Sequence, residues 1–379
     1  MAFVLDEEMQ NVTNIKVIGV GGGGSNAVNE MIDDEMKNID FWVFNTDAQA
    51  LATSKSANRL VLGEQVTKGL GAGGDPETGK QAALDSIDRI NEIIDGYDMV
   101  FIACGEGGGT GTGAAPIVAK ACKDKGALTV AIVTRPFTFE GNLRSSRAAA
   151  GIAELKNNVD SIIIVSNDKL MFMNGKKSIK EAFNESDKVL AQSVKTITDL
   201  ILLPGVINLD FADVRNTLKD KGIALIGFGM GNGANKAEDA ATSAISSPLL
   251  EASIKGARSA IVNITGGDGV TLDEAQTAVK YITEVAGGEL NIVFGVQTNP
   301  EFNDTMLVSV IATDFAEDAD LSSSIITPRV KEQVNNEQVE NKNNEENLKE
   351  EKKPSDFSEQ DSILPDFFAS LGADEGGQE

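Results

Sequence analysis

The stretch Cys104-Gly105-Glu106-Gly107-Gly108-Gly109-Thr110-Gly111-Thr112-Gly113-Ala114-Ala115-Pro116 constrains this chain more than any other. It follows an apolar run, Met99-Val100-Phe101-Ile102-Ala103, that reads as a buried strand. Residues 117–125 follow and read as a helix. A strand, a glycine loop and a helix in that order aim backbone N–H groups and a helix N-terminus at an anion. Six glycines among the nine residues 105–113 remove the Cβ atoms that would keep a phosphate away. Thr110 and Thr112 remain to donate hydroxyl protons to phosphate oxygens. A flexible tether has no reason to join a buried strand to an amphipathic helix, so the stretch reads as a phosphate loop.

A length of 379 residues accommodates about two domains. The N-terminal residues are acidic and lack an apolar segment of signal-peptide type, and no run of 18 apolar residues is present, so no membrane insertion is expected. Two cysteines, Cys104 and Cys122, build no disulfide framework and point to a reducing cytoplasm. The absence of histidine excludes His-based triads and His-ligated metals. A net charge of −25 repels nucleic acid, so none is expected as a partner. A bound anion must then be held by local N–H groups, helix dipoles and a cation against the global field.

In chain order, Ile15–Val20 reads as a strand, followed by Gly21-Gly22-Gly23-Gly24-Ser25-Asn26 and a helix over 27–36. Residues 19–24 satisfy a dinucleotide fingerprint, and a second strand over 41–47 ends on Asp47 at about the expected distance. Alone, this favours a Rossmann-type NAD enzyme; a second glycine loop after a later strand argues against it. Residues 69–76 form another glycine-rich loop before a helix over 77–94. Gly74, Gly79 and Lys80 imitate a P-loop there, but Gln81 stands where Ser or Thr must meet Mg²⁺, so a Walker site is rejected. Strands over 128–134 and 161–166 follow, with Arg144 opening a helix between them. Continuous apolar strands alternating with helices argue for a parallel α/β sheet with ligands at its carboxyl ends.

The longest helical pattern covers 178–203 and stops at Pro204-Gly205. A helix then opens near Asp210, and strands over 224–228, 260–264, 292–296 and 307–311 with helices over 234–246 and 272–286 make a second α/β unit. From about Ser322 the pattern ends. Residues 330–379 hold five Lys against 14 Asp and Glu and read as a disordered acidic tail. Its one apolar island, Ile363–Leu371, reads as a linear binding motif. The expected organisation is a flexible segment 1–14, a Rossmann-like parallel-sheet domain 15–177, a central helix 178–204, a second α/β domain 205–321 and a disordered linker with C-terminal peptide 322–379.

The run Gly107–Gly113 resembles the signature of the tubulin/FtsZ superfamily. Ordered matches at 19–29, 45–51, 68–74, 107–116, 137–141, 167–169 and 208–215 extend the likeness over 15–319, closest to its bacterial cell-division GTPases. The resemblance implies a GTP-binding first domain, a second domain that activates hydrolysis in a neighbouring subunit, and head-to-tail filaments forming a cytoplasmic ring at the midcell division site. It implies that Gly21, Gly22, Gly23, Gly24, Ser25 and Asn26 bind phosphates and base, that Ala72, Gly73 and Gly74 sense the γ-phosphate, and that Gly108, Gly109, Thr110 and Gly111 cradle the phosphates. It places Glu140 on the ribose with Arg144 nearby, Asn167 in the motif at 167–169, and Phe183 and Asp187 on the guanine. A carboxylate suits guanine, whose N1–H and exocyclic amine both donate; without the resemblance, Asp187 is a polar residue on a long helix.

The same resemblance makes Asp210 and Asp213 the activating carboxylates. By spacing they are equally an N-cap and an N3 acid at a helix start. GTP and GDP are the implied ligands, with Mg²⁺ or K⁺ as counter-ion and no metal ligands assignable. Three departures stand out. Pro365-Asp366-Phe367-Phe368 runs into acidic rather than basic residues, which bears on the division-ring adaptor expected at the tail. Ser166 replaces a common proline, and Glu106 places a carboxyl beside the phosphate loop. A dehydrogenase and a GTP-binding scaffold that hydrolyses poorly are the alternatives.

Overall fold

The computed structural model describes residues 13–173 and 178–315. Most of the expected flexible segment 1–14 and the whole of 322–379, with its Ile363–Leu371 motif, lie outside the described residues. In chain order the first elements are β1 (Ile15–Val20), α1 (Gly21–Asp33), β2 (Ile39–Asn45), α2 (Ala48–Ala52), β3 (Asn58–Val61), α3 (Glu64–Thr67), α4 (Pro76–Asp85), α5 (Ile87–Ile93), β4 (Met99–Gly105), α6 (Thr110–Asp124), β5 (Leu128–Arg135), α7 (Asn142–Lys156), β6 (Ser161–Ser166) and α8 (Asn167–Met173). The long α9 (Ile179–Leu202) follows, and then α10 (Phe211–Leu218), β7 (Gly222–Asn232), α11 (Lys236–Ile245), β8 (Ala257–Gly266), α12 (Leu272–Ala286), β9 (Asn291–Thr298) and β10 (Thr305–Phe315).

The strands join in one sheet of order β3-β2-β1-β4-β5-β6-β7-β10-β8-β9. The first six follow the doubly wound order that places ligands at carboxyl ends. β1, β4, β5 and β6 are buried on both faces, which is why they read as unbroken apolar runs. Each large aliphatic or aromatic side chain there, such as Phe101 or Ile102, contributes roughly 1.5–3 kcal/mol by leaving water. One core cluster packs Ile18, Ile102 and Val133 under residues of α4 to α7. The other packs Val17, Phe101 and Ile132 under α1 and α9, and continues to Phe228, Ile261 and Ile311 of the later strands. Helix α9 therefore spans both halves of the molecule along one face.

The structure adds to the sequence reading and changes parts of it. The second α/β unit does not own a separate sheet: β7 opens with Gly222, Ile223 and Ala224 paired parallel to Ser161, Ile162 and Ile163 of β6. Nor is it all parallel, because β10 runs antiparallel between β7 and β8. Finally, the helices at both main glycine runs start earlier than their apolar patterns. α1 begins at Gly21 and α6 at Thr110, so glycine and threonine form the first helical turns. The helix expected over 77–94 is two, α4 and α5, divided at Ser86, whose hydroxyl accepts from Gly63 N. Strand β3 and the short α2 and α3 carried no readable signal.

Lys16 is a buried charge in this core, 1% exposed on β1. Its ammonium sits 2.8 Å from Asp40 and 4.1 Å from the centre of the Tyr97 ring. Burial pulls its pKa down, and the Asp40 hydrogen bond and charge oppose that. Asp40→Asn keeps the shape and strands the cation. We expect a loss of about 3 kcal/mol in urea unfolding, the low end for a broken buried pair because Asp40 is 31% exposed. Lys16→Met in the Asp40→Asn background should recover part of it; no recovery would mean that the charge is not what costs stability.

Candidate functional site

The site assembles at the carboxyl ends of β1, β2, β4, β5 and β6. Two glycine runs meet there. A Cβ on Gly21 would lie 2.8 Å from Gly111 N, one on Gly24 would lie 2.2 Å from Ala103 O, and one on Gly109 would lie 2.9 Å from both Ala72 Cβ and Asp75 N. These contacts let α1 and α6 start side by side, with loop 69–75 laid over the second. Close packing thus accounts for most glycines in the site. It does not account for Gly22 and Gly108: each has an unexceptional φ and would meet nothing within 4 Å. The open space beside them is where a ligand needs the backbone bare.

The helix ends around this space are left uncapped. α2, α4, α9, α10 and α12 each have a side chain accepting from their first turn: Asp47, Asp75, Ser178, Asp210 and Thr271. α1, α6 and α7 have no such bond and no acid in the first turn. Their free N–H groups and positive dipole ends suit an anion, each end contributing roughly 0.3–1 kcal/mol. Residues 21–26 and 107–113 contain no Lys or Arg.

Individual side chains differ from a uniform cradle. Thr110 Oγ1 lies 2.6 Å from Thr46 Oγ1 across the site. Thr112 faces inward instead and accepts from Gly107 N at 2.8 Å, holding the loop's shape rather than facing a ligand. Ser25 is buried and donates to Gly21 O. Asn26 is exposed. Gly73 and Gly74 both have positive φ in a loop anchored by Gly71 N on Thr46 O. The rejected Walker stretch is helix: Gly79 packs on Gly109, and Lys80 pairs with Glu154 at 2.8 Å.

A second group forms the flank. Glu140 accepts from Phe137 N at 2.9 Å and pairs with Arg144 at 3.0 Å. Phe137 is buried, stacks on Phe139 with centroids 5.0 Å apart, and meets the Phe183 edge at 5.1 Å. Asp168 accepts from Thr138 N at 2.9 Å and from its hydroxyl, tying this turn to the end of β6. Asn167 is buried, its side-chain oxygen accepting from Ser186 at 2.7 Å. Asp187 lies one turn beyond Phe183 on α9; burial, and then the nearby Glu30, push its carboxyl up to about 7. Thr46, Phe137, Phe139 and Asp168 lie in the matched stretches 45–51, 137–141 and 167–169, but the resemblance implies no individual role for them, since their roles arise from contacts between distant segments.

Asp210 and Asp213 are not part of this assembly. Asp210 caps α10, accepting from Asp213 N at 2.9 Å. α10 lies at the opposite, amino edge of the sheet: Arg215 donates to Gly126 O just before β5, and Leu218 O accepts from Ser161 at the start of β6. Helix α9 runs from one edge to the other, about 36 Å for its 24 residues. Leu203 and Val206, beside the Asp210 end, are 45% and 69% exposed; Leu70 and Phe139, beside the glycine loops, are 82% and 59% exposed.

Comparison with known proteins gives two family matches: the Tubulin/FtsZ family, GTPase domain, over residues 14–175, and the FtsZ family, C-terminal domain, over 222–316. Among solved structures, an empty FtsZ dimer from M. jannaschii is 38% identical with a TM-score of 0.76, covering 80% of this chain and 89% of its own. CetZ2 from Haloferax volcanii, solved as a GTPγS-bound protofilament, has a TM-score of 0.70 at 21% identity, covering 83% of this chain and 96% of its own, and shows the shared fold. The dehydrogenase alternative falls with these matches. Asp47, its ribose candidate, turns its carboxylate onto the first turn of α2.

Alanine substitutions separate ligand space from packing. Gly22→Ala and Gly108→Ala should leave the unfolding midpoint unchanged yet weaken GDP binding at least about tenfold, roughly 1.4 kcal/mol. Gly24→Ala, driven into Ala103 O, should instead lower stability. Titration calorimetry and urea unfolding on the three variants read both quantities; normal GDP affinity in Gly22→Ala and Gly108→Ala would remove the site from this space.

Proposed function

The chain belongs to the tubulin/FtsZ family of GTPases, and from that premise we propose that it polymerises head to tail and hydrolyses GTP between subunits. The observation that carries this reading is the separation of the uncapped glycine loops from Asp210 and Asp213 by the full height of the sheet. No single chain can close that gap. A second chain stacked end to end can, through a contact that repeats without closing. The exposed apolar side chains at both edges suit such a contact, and CetZ2, which shares the fold, was solved as a protofilament.

In this reading the substrate is MgGTP, since loops without cations leave the triphosphate charge to be balanced by an ion that travels with it. Among the described residues no cluster of three or more acids, cysteines or histidines could hold a metal. K⁺ would serve as a further counter-ion. The N–H groups of α1 and α6, with Gly108, Gly109 and Gly111, hold the phosphates and stabilise charge developing on the γ-phosphoryl oxygens. Loop 72–74 lies against Gly109 and registers whether the γ-phosphate is present. Glu140 takes the ribose with the lone pairs that Arg144 leaves, and Phe183 and Asp187 take the guanine. Asp210 and Asp213 of the next subunit orient the attacking water. The filament would build a midcell division ring, with Ile363–Leu371 as the adaptor-binding peptide.

Two measurements test this. Asp213→Ala chains and Gly108→Ala chains should each hydrolyse GTP slowly alone and recover activity when co-assembled, because some interfaces then pair an intact loop with an intact carboxylate. Activity strictly linear in protein concentration, with no recovery on mixing, would falsify the shared site. For Asp187, the ionised carboxylate accepts both guanine donors and the acid does not. GTP affinity should therefore fall as pH drops below about 7, the value to which burial raises this group, by up to roughly tenfold per unit. The wild-type to Asp187→Asn affinity ratio, in which the nucleotide's own phosphate titration cancels, should carry this acid limb, and a ratio flat with pH would count against the role of Asp187.

A further inference from the structure

Glu106 lies in the middle of the phosphate loop, yet no part of the site described above uses it. Its amide N donates to Thr134 O on β5 at 2.9 Å, which fixes the residue at the strand end. The side chain then folds beneath the loop and is 2% exposed. Cys104 Sγ approaches Oε1 at 3.5 Å, and Oε2 has no hydrogen-bond partner among the described residues. The slot is made by a neighbouring helix. A Cβ on Gly151 of α7 would lie 2.5 Å from Glu106 Oε2 and 2.3 Å from Thr112 Cγ2. Thr112, on the other wall, is the residue whose hydroxyl accepts from Gly107 N. The carboxyl is thus packed directly behind the loop's shape-holding contact.

Among the described residues no cation pairs with a charge there. On β4 the neighbour is the Cys104 thiol, itself kept protonated by burial and by Glu106. β5 and α6 present Thr134 and Thr112, which are uncharged. On α7, Arg144 packs its stem over Gly107 and pairs its guanidinium with Glu140, while Glu154 adds negative charge to the Glu106 environment and is paired with Lys80 of α4. A carboxylate in this slot would face a polyphosphate across the loop backbone through a medium that screens poorly. A carboxylic acid would not.

We propose that Glu106 is a proton-linked positioning residue: the loop binds nucleotide phosphates with the Glu106 carboxyl neutral, so that phosphate binding draws a proton onto it. This rests on the nucleotide reading above and gives that site a control absent from a loop with an apolar residue at this place. Burial pushes the carboxyl up to about 7, against the smaller opposing influence of the neighbouring Thr112 hydroxyl and Cys104 thiol, which places its titration near neutrality. The sign follows. Below that pH the group is already neutral and costs the ligand nothing; above it, binding must recruit a proton and affinity declines. Glu106 supplies the alkaline limb of the affinity profile, and Asp187 the acid limb.

The test is GDP affinity of the full chain from pH 6 to 9, for wild type, Glu106→Gln and Glu106→Met, taken as wild-type to variant ratios. The titration of Asp187 and of the nucleotide cancels in that ratio. The dissociation constant should rise relative to either variant above pH 7, approaching about tenfold per unit. Calorimetry at pH 7.5 in buffers of different ionisation enthalpy should show more proton uptake by wild type than by the variants. A ratio flat across the range, with equal proton uptake, overturns the proposal while leaving nucleotide binding intact. Failure of wild type to bind GDP at any pH overturns both this and the functional reading. Two variants of different polarity guard against one that misfolds.

Discussion

Everything at the site depends on how closely two stretches of bare backbone approach each other. Gly21 sits against Gly111, Gly24 against Ala103 O, and Gly79 and Gly113 against the backbones of Gly109 and Pro76. Side chains at these points would force α1, α4 and α6 apart and separate the helix ends that now converge. Three uncapped N-termini in one place are costly in an empty protein, because their N–H groups have only water to satisfy them. Such an arrangement persists where a ligand with many acceptor oxygens completes it. The chain is strongly negative overall, and here the peptide dipoles of the helix ends, with Arg144 beside Gly107 and Arg147 beside Gly74, oppose that field.

The rest of the fold sets a distance. A sheet continuous through the β6–β7 pairing and a single helix along its face make the two halves one beam, with the cradle at one edge and the Asp210 cap at the other. The cap is also structural, because Asp210 is already bonded to Asp213 N.

How much of this could be read from the residues alone follows from how local each determinant is. The buried parallel strands were legible because burial on both faces leaves an unbroken apolar signature. The phosphate loop was legible because glycine density between strand and helix has few other causes. Helix starts at Gly21 and Thr110 were not legible, since glycine disfavours helix and only tertiary contact puts it there. The antiparallel β10 and the shared sheet edge were invisible for a related reason: strand direction and partner choice are non-local. Phe137 shows the same limit within the site. Its importance lies in touching Phe139 and Phe183 together, and no spacing in the sequence announces that. Glu106 was visible as an oddity, but its burial and the matching gap at Gly151 were not.

The Lys16 cluster has an optical consequence. Trp42 is the one tryptophan of the chain. Its indole donates to Asp40 at 3.0 Å, its ring lies 4.9 Å from the Lys16 ammonium, and the Phe44 edge faces it at 6.1 Å. Indole emission responds to nearby charge and to water, so fluorescence in this protein reports on a buried ion pair in the β1–β2 core. The chain carries a built-in gauge of its own folding, set apart from the chemistry at the sheet's carboxyl edge.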